Sequence, residues 1–226
     1  ALVRGVNGEG AGVILDKVGQ HNMHAFDQAC RVRAIELARD LDLDGLLSIN
    51  FLPDAVYTPK ACIEATLNRA KEVGWPSDQL CFEIVETEQV QDRPHLQPIM
   101  TEYRSMGFRV GLDDFGSGYA NLELLTDLWP HYIKIDRCLI DGVAHNQRKA
   151  AIIKGMIDIS RHLEIDLIAE GIETMADARW LYQRGISLQQ GFFYAKPAVE
   201  AAPQLDEEQL AGVMQSELRP GVSVTV

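Results

Sequence analysis

Two adjacent carboxylates, Asp113 and Asp114, close an apolar run and open directly onto the turn Phe115-Gly116-Ser117-Gly118-Tyr119. Neighbouring residues of a strand face opposite sides. The pair can therefore converge on one point only where the strand ends and the backbone turns, which Gly116 and Gly118 permit. Hard oxygen ligands at such a tip suit Mg²⁺ or Mn²⁺. The pair has company. Asn50, Glu83, Lys134 with Asp136, Glu170 and Gln190 each end, or lie within, another short apolar run. An acidic mouth with one amide and one lysine suits two hard cations, and a shared Asp can bridge ions ~3.5–4 Å apart, the spacing used for phosphoester hydrolysis. Without cations, carboxylates gathered this closely repel one another and some of them protonate.

These residues need a scaffold that gathers strand tips. The spacing of Phe26, Cys30, Ala34, Leu37 and Leu41 predicts an amphipathic helix over 23–41. Strands are expected at 46–51, 80–85, 108–112, 131–135 and 165–169, with a last one beginning at 188–190. Helices are expected between them at 60–73, 95–106, 121–128, 148–163 and 175–184, broken by Gly74-Trp75-Pro76 and Pro130. The glycine-rich stretch Gly8 to Gly12 reads as a flexible loop, being too short for a dinucleotide fingerprint. Strand–helix alternation of this kind implies a mostly parallel sheet with crossover helices. An open sheet uses the strand tips at its one switch point, whereas a barrel gathers all of them around one mouth. Nearly every strand here finishes in an ionisable or amide residue, so the expected fold is α/β, a TIM-like (β/α)₈ barrel. About six strands are visible, which places the first strand segment before Ala1 or in the opening residues.

Composition limits the partners. With 226 residues and no long uncharged apolar run, the chain reads as one domain without a membrane helix. A net charge of −12 argues against coating DNA or RNA. It does not exclude a small phosphate ligand, because bound metals can reverse the local field. Cys30, Cys62, Cys81 and Cys138 are widely spaced, form no CxxC, and read as reduced, buried residues of a cytoplasmic protein.

The order and wording of the motifs resemble the EAL-domain family, the cyclic di-GMP phosphodiesterases of bacterial signalling. The resemblance runs through Ala1-Leu-Val-Arg4, Ser48-Ile-Asn-Phe-Leu-Pro53, Phe82-Glu-Ile-Val-Glu-Thr87 and Asp113-Asp-Phe-Gly-Ser-Gly-Tyr119. It continues through Ile133-Lys-Ile-Asp136, Ala169-Glu-Gly-Ile-Glu-Thr174 and Gln190-Gly-Phe-Phe-Tyr-Ala-Lys-Pro197. The segments Gly8–Gly12 and Ser48–Tyr57 look most like EAL domains joined to blue-light BLUF sensors. The resemblance implies an EAL phosphodiesterase domain over residues 1–203, with 204–226 as an acidic, polar tail or final helix. It implies hydrolysis of cyclic di-GMP to linear pGpG with two Mg²⁺ or Mn²⁺ ions, inhibited by Ca²⁺, in a homodimer attached to a sensor domain. A receptor that binds cyclic di-GMP without cutting it is the alternative.

The site roles that the resemblance implies are as follows. Asn50, Glu83 and Asp113 hold the first metal, with Asp113 as the bridge. Asp114 and Glu170 hold the second, and Glu170 is left with a further role as general base. Lys134 positions the attacking water, with Glu173 and Gln190 in support. Glu86 holds the loop containing Phe115, Gly116, Ser117 and Gly118, which couples substrate, metal and dimer. Leu2, Arg4 and Asp136 meet the substrate. Ser117 stands where Thr is usual, and Ser187 where Asp is common. The family's name-giving Glu, another first-metal ligand, is expected directly before Ala1.

Overall fold

The computed structural model of the chain describes residues 3–52, 56, 58–85, 93–118 and 122–215. Its strands are β1 (Leu47–Asn50), β2 (Leu80–Val85), β3 (Arg109–Phe115), β4 (Tyr132–Ile135), β5 (Asp166–Ala169) and β6 (Leu188–Gln189). Its helices are α1 (Ala11–Leu15), α2 (Met23–Asp40), α3 (Pro59–Val73), α4 (Arg93–Ser105), α5 (Glu123–Leu128), α6 (Arg137–Ile140), α7 (Gln147–Leu163), α8 (Met175–Tyr182) and α9 (Glu207–Met214). The expected tail thus carries a helix, α9, capped by Asp206. Residues 216–226 of that tail lie outside the described residues.

All six strands run parallel in the order β1-β2-β3-β4-β5-β6. An open doubly wound sheet reverses its order at a switch point. This sheet never does, and it is the curled wall of a TIM-like barrel. The strand sequences explain the layering. Leu47, Ile49, Phe82, Ile84, Val110, Leu112, Ile133, Ile135, Leu167 and Ala169 are buried on one parity, against the helices. Phe51, Phe82, Tyr103 and Phe108 form an aromatic cluster between β2 and α4, with Phe82 and Tyr103 centroids 5.0 Å apart. The opposite parity carries Ser48, Asn50, Glu83, Gly111, Asp113, Tyr132, Lys134 and Glu170. That parity is the barrel interior, and it is polar.

Three expectations are corrected. Helix α2 does not bury the stripe of Phe26, Cys30 and Ala34; it buries Asp27, Arg31, Ile35 and Ala38. The reason is an internal ion pair, Arg31 Nη2 to Asp27 Oδ2 at 2.5 Å, which lets two charges enter the core together. Arg31 also reaches the Tyr103 hydroxyl at 3.1 Å and stacks over Phe51 and Phe82. Asp27 Oδ1 accepts from Leu52 N, just beyond the tip of β1. Second, the last two residues of the expected loop Gly8–Gly12, Ala11 and Gly12, open the short helix α1 instead. Third, Cys138 is exposed and Cys30 half-buried rather than buried; none of the four cysteines is in a disulfide.

Candidate metal centre

The barrel mouth brings Glu83, Asp113, Asp114, Lys134, Glu170 and Gln190 together from β2, β3, β4, the end of β5 and the turn after β6. Asn50 closes β1 in register with Glu83 of β2, and Val85 of β2 pairs with Asp113 of β3. Lys134 sits one residue before the end of β4. Glu170 follows β5, its backbone N–H bonded to the Ile135 carbonyl.

The two aspartates converge by a different device from the one expected. Strand β3 continues through Asp114 to Phe115. Pairing with β4 shifts register between Leu112 and Phe115. Asp114 adopts φ +54°, the left-handed region that side chains rarely enter. This bulge turns Asp114 to the side of Asp113, whose Oδ1 accepts from Asp114 N at 3.0 Å. Oxygens of Asp113, Asp114 and Glu170 then lie within 4.8 Å of one another. Gly116 follows at φ +100°, and a Cβ there would come 2.5 Å from Leu139 Cδ1. The turn therefore packs closely on α6.

Lys134 Nζ is the hub of this cluster. It is 3.3 Å from Glu83 Oε2, 3.0 Å from Asp113 Oδ1 and 2.7 Å from Glu170 Oε1. Lys134 is 8 % exposed and Glu83 3 %. The three carboxylates hold the ammonium charged, well above its ordinary range, against the opposing effect of burial. Glu170 is pushed up to about 7, first by burial and then by the Asp113 charge. Asp114 is raised as well, by burial, then by Asp113 and Asp136. Four carboxylates thus surround one lysine, and fully ionised they would leave three negative charges uncompensated.

The donor set fits hard divalent cations. Asn50 Oδ1 is buried and has no hydrogen-bond partner among the described residues. A buried carbonyl oxygen without a donor is costly unless something cationic or protic fills the place. The three oxygens around Asp113 are acceptors of the kind that Mg²⁺ and Mn²⁺ prefer.

The remaining expected residues are distributed around this centre. Gln190 Nε2 donates to Glu170 Oε1, the same oxygen that meets Lys134. Asp136 caps α6, accepting from Cys138 N at 2.8 Å, and its charge reaches Asp114. Glu173 is paired with Arg137 at 3.0 Å on the rim. Arg4 turns back on its own neighbour, Nη1 donating to the Val3 carbonyl. Phe115 is buried and Ser117 and Gly118 are exposed. Leu2 and Glu86 lie outside the described residues, as do residues 119–121 of the coupling loop.

Two residues that sequence reasoning passed over also face the site. Tyr132 donates its hydroxyl to Glu83 Oε1 at 3.1 Å, and Ser48 lies 3.5 Å from that hydroxyl. The signal was present: Ser48 precedes Asn50 by two, and Tyr132 precedes Lys134 by two, so each shares the inward parity.

Comparison with known proteins gives a consistent result. The EAL domain family matches residues 9–197. The cyclic di-GMP phosphodiesterase PdeB of Shewanella oneidensis is 32% identical over 163 residues, 72% of this chain and 19% of PdeB. A standalone EAL protein from Vibrio cholerae O395, solved with c-di-GMP bound, is 42% identical with a TM-score of 0.89, covering 93% of this chain and 89% of that one. Klebsiella pneumoniae BlrP1, solved as a manganese/cy-diGMP complex, is 29% identical with a TM-score of 0.84, covering 91% of this chain and 52% of that one. The chain spans only about a fifth of the length of PdeB.

Proposed function

The chain belongs to the EAL-domain family, and from that premise we propose that it hydrolyses cyclic di-GMP to linear pGpG with two divalent metals. The observation that carries the reading is the grouping of Asp113, Asp114 and Glu170 oxygens within 4.8 Å, beside Asn50 and Glu83, around Lys134. Asn50, Glu83 and Asp113 would hold one Mg²⁺ or Mn²⁺, and Asp113, Asp114 and Glu170 the other. Bound there, the metals would polarise the phosphodiester and make a water more acidic.

The chain's own groups supply the rest. Water oxygen bonds to phosphorus, the P–O3′ bond breaks, and the water proton ends on the departing 3′ oxygen. The 5′ phosphate stays on the product. Lys134 Nζ keeps a fixed positive charge between the strands, where negative charge builds on the phosphoryl oxygens. Gln190 holds Glu170 Oε1 in place from the turn after β6. Asp136 is fixed by its cap to α6, so its charge stays near Asp114.

PdeB, a similar protein, is named for this activity, and the similar BlrP1 was solved with manganese and the cyclic dinucleotide. The reading carries with it a cytoplasmic homodimer under the control of a sensor domain, and inhibition by Ca²⁺, whose looser coordination fits this set poorly. No described helix is long and apolar enough to cross a membrane. The test is pGpG release by the full parent protein in Mg²⁺ or Mn²⁺. Turnover that disappears in Asp113→Asn and in chelator is expected. Binding of cyclic di-GMP with no pGpG in either metal would overturn the reading in favour of a receptor.

A further inference from the structure

We propose that Tyr132 is a positioning residue for Glu83, setting the metal affinity of the site through a hydroxyl that never touches metal or substrate. The proposal rests on the reading of Glu83 as a metal ligand.

Glu83 of β2, Gly111 of β3 and Tyr132 of β4 occupy one level of the sheet. Tyr132 reaches Glu83 by crossing the intervening strand. It can do so only because position 111 has no side chain; a Cβ there would overlap the Tyr132 ring. The sheet therefore holds a slot, one residue wide, filled by this ring. Tyr132 is 4 % exposed, so the ring is fixed on all sides.

The contact divides the Glu83 carboxylate. Its Oε1 accepts from the Tyr132 hydroxyl at 3.1 Å, and its Oε2 faces Lys134 Nζ at 3.3 Å. An ionised carboxylate only accepts, so the tyrosine must be the donor. The Ser48 hydroxyl, 3.5 Å away, can then donate to the tyrosine oxygen. One oxygen of Glu83 is thus committed to the wall, and rotation about the carboxylate bond is blocked. The other is left aimed at the cluster. Groups that orient ligands in this way are worth roughly 10- to 100-fold in metal affinity when removed.

The closing experiment measures Mn²⁺ binding to the full parent protein by the electron paramagnetic resonance signal of free Mn²⁺, without substrate. Tyr132→Phe keeps the ring in its slot and deletes only the hydroxyl. It should weaken Mn²⁺ binding roughly tenfold, with the melting temperature in chelator little changed. The KM for cyclic di-GMP at saturating Mn²⁺ should stay at the wild-type value. Ser48→Ala should shift Mn²⁺ binding in the same direction by less, and it decides the matter should Tyr132→Phe fail to fold. Wild-type Mn²⁺ affinity in both variants overturns the proposal. A wild-type protein that binds no Mn²⁺ overturns instead the two-metal reading on which it rests.

Discussion

Lys134 Nζ meets Glu170 Oε1 at 2.7 Å, closer than it comes to Asp113 or Glu83, and Gln190 donates to that same oxygen. One carboxylate oxygen therefore joins the ends of β4 and β5 and the turn after β6. The lysine is the counter-charge of the metal-free site, and in the proposed reaction it is also a group of the chemistry.

Lys134→Ala should accordingly harm both roles. Removing one fixed charge aimed at the reacting centre should lower turnover about 10²- to 10³-fold. Leaving buried carboxylates without their cation should also destabilise the metal-free chain by about 3–5 kcal/mol. Mn²⁺ should return part of that stability, because it replaces the missing charge. Melting curves in chelator and in Mn²⁺ check this. A variant as stable as wild type in chelator would refute the hub role of Lys134.

The Glu170 carboxyl, raised to about 7 in the metal-free fold, predicts a pH dependence with a definite sign. Its folded pKa lies above the ordinary carboxylate value of 4.5. The stability it lends the metal-free chain is complete below pH 4.5 and is lost as pH rises through about 7. Glu170→Gln should remove that slope from stability measured in chelator between pH 5 and 8. Metal binding should follow the opposite course, strengthening up to about pH 7 as the proton leaves, with proton release seen by calorimetry in two buffers.

Asp27→Ala tests the buried pair behind the tip of β1. It strands Arg31, which has no exposed surface, and leaves Leu52 N without its acceptor. A loss of about 3–5 kcal/mol in denaturant unfolding is expected. Because Leu52 lies two residues from Asn50, Mn²⁺ affinity should fall too. A stability change under about 1 kcal/mol would show that the pair is dispensable.

Gly116→Val should damage the turn twice over. The backbone is at φ +100°, and the new side chain would drive into Leu139. Loss of turnover is expected to exceed the loss of stability, read by comparing pGpG release with the melting temperature. Equal turnover in the variant would show that the turn can shift without consequence for the site.

The strand tips were legible in the sequence because polar residues there interrupt apolar runs at each β–α junction. Strand β3 and the Asp pair were harder. Nothing in Leu112-Asp113-Asp114-Phe115 announces that Asp114 will take a left-handed backbone inside a strand, since that conformation is fixed by pairing with β4. The core face of α2 misled for a related reason. Phe26, Cys30 and Ala34 form a plausible apolar stripe, and only the tertiary contacts of Arg31 with Asp27, Tyr103 and the aromatic rings show that the helix is rotated. Tyr132 was hidden among Ile133 and Ile135 as one more large residue of a buried strand. Its purpose depends on Gly111, and a cross-strand slot is invisible until the strands are paired.

The one-directional order of the sheet also imposes a timetable. A ribosome delivers Glu83 and Asp113 before Lys134, which follows Asp113 by 21 residues, and Glu170 later still. Before β4 is in place, Glu83 and Asp113 lack the lysine that meets them in the finished fold. If the proposed metal centre forms before β4 is in place, refolding in Mg²⁺ should be faster than refolding in chelator. On this view the cation proposed for the finished site would first serve as a temporary fastening for its manufacture.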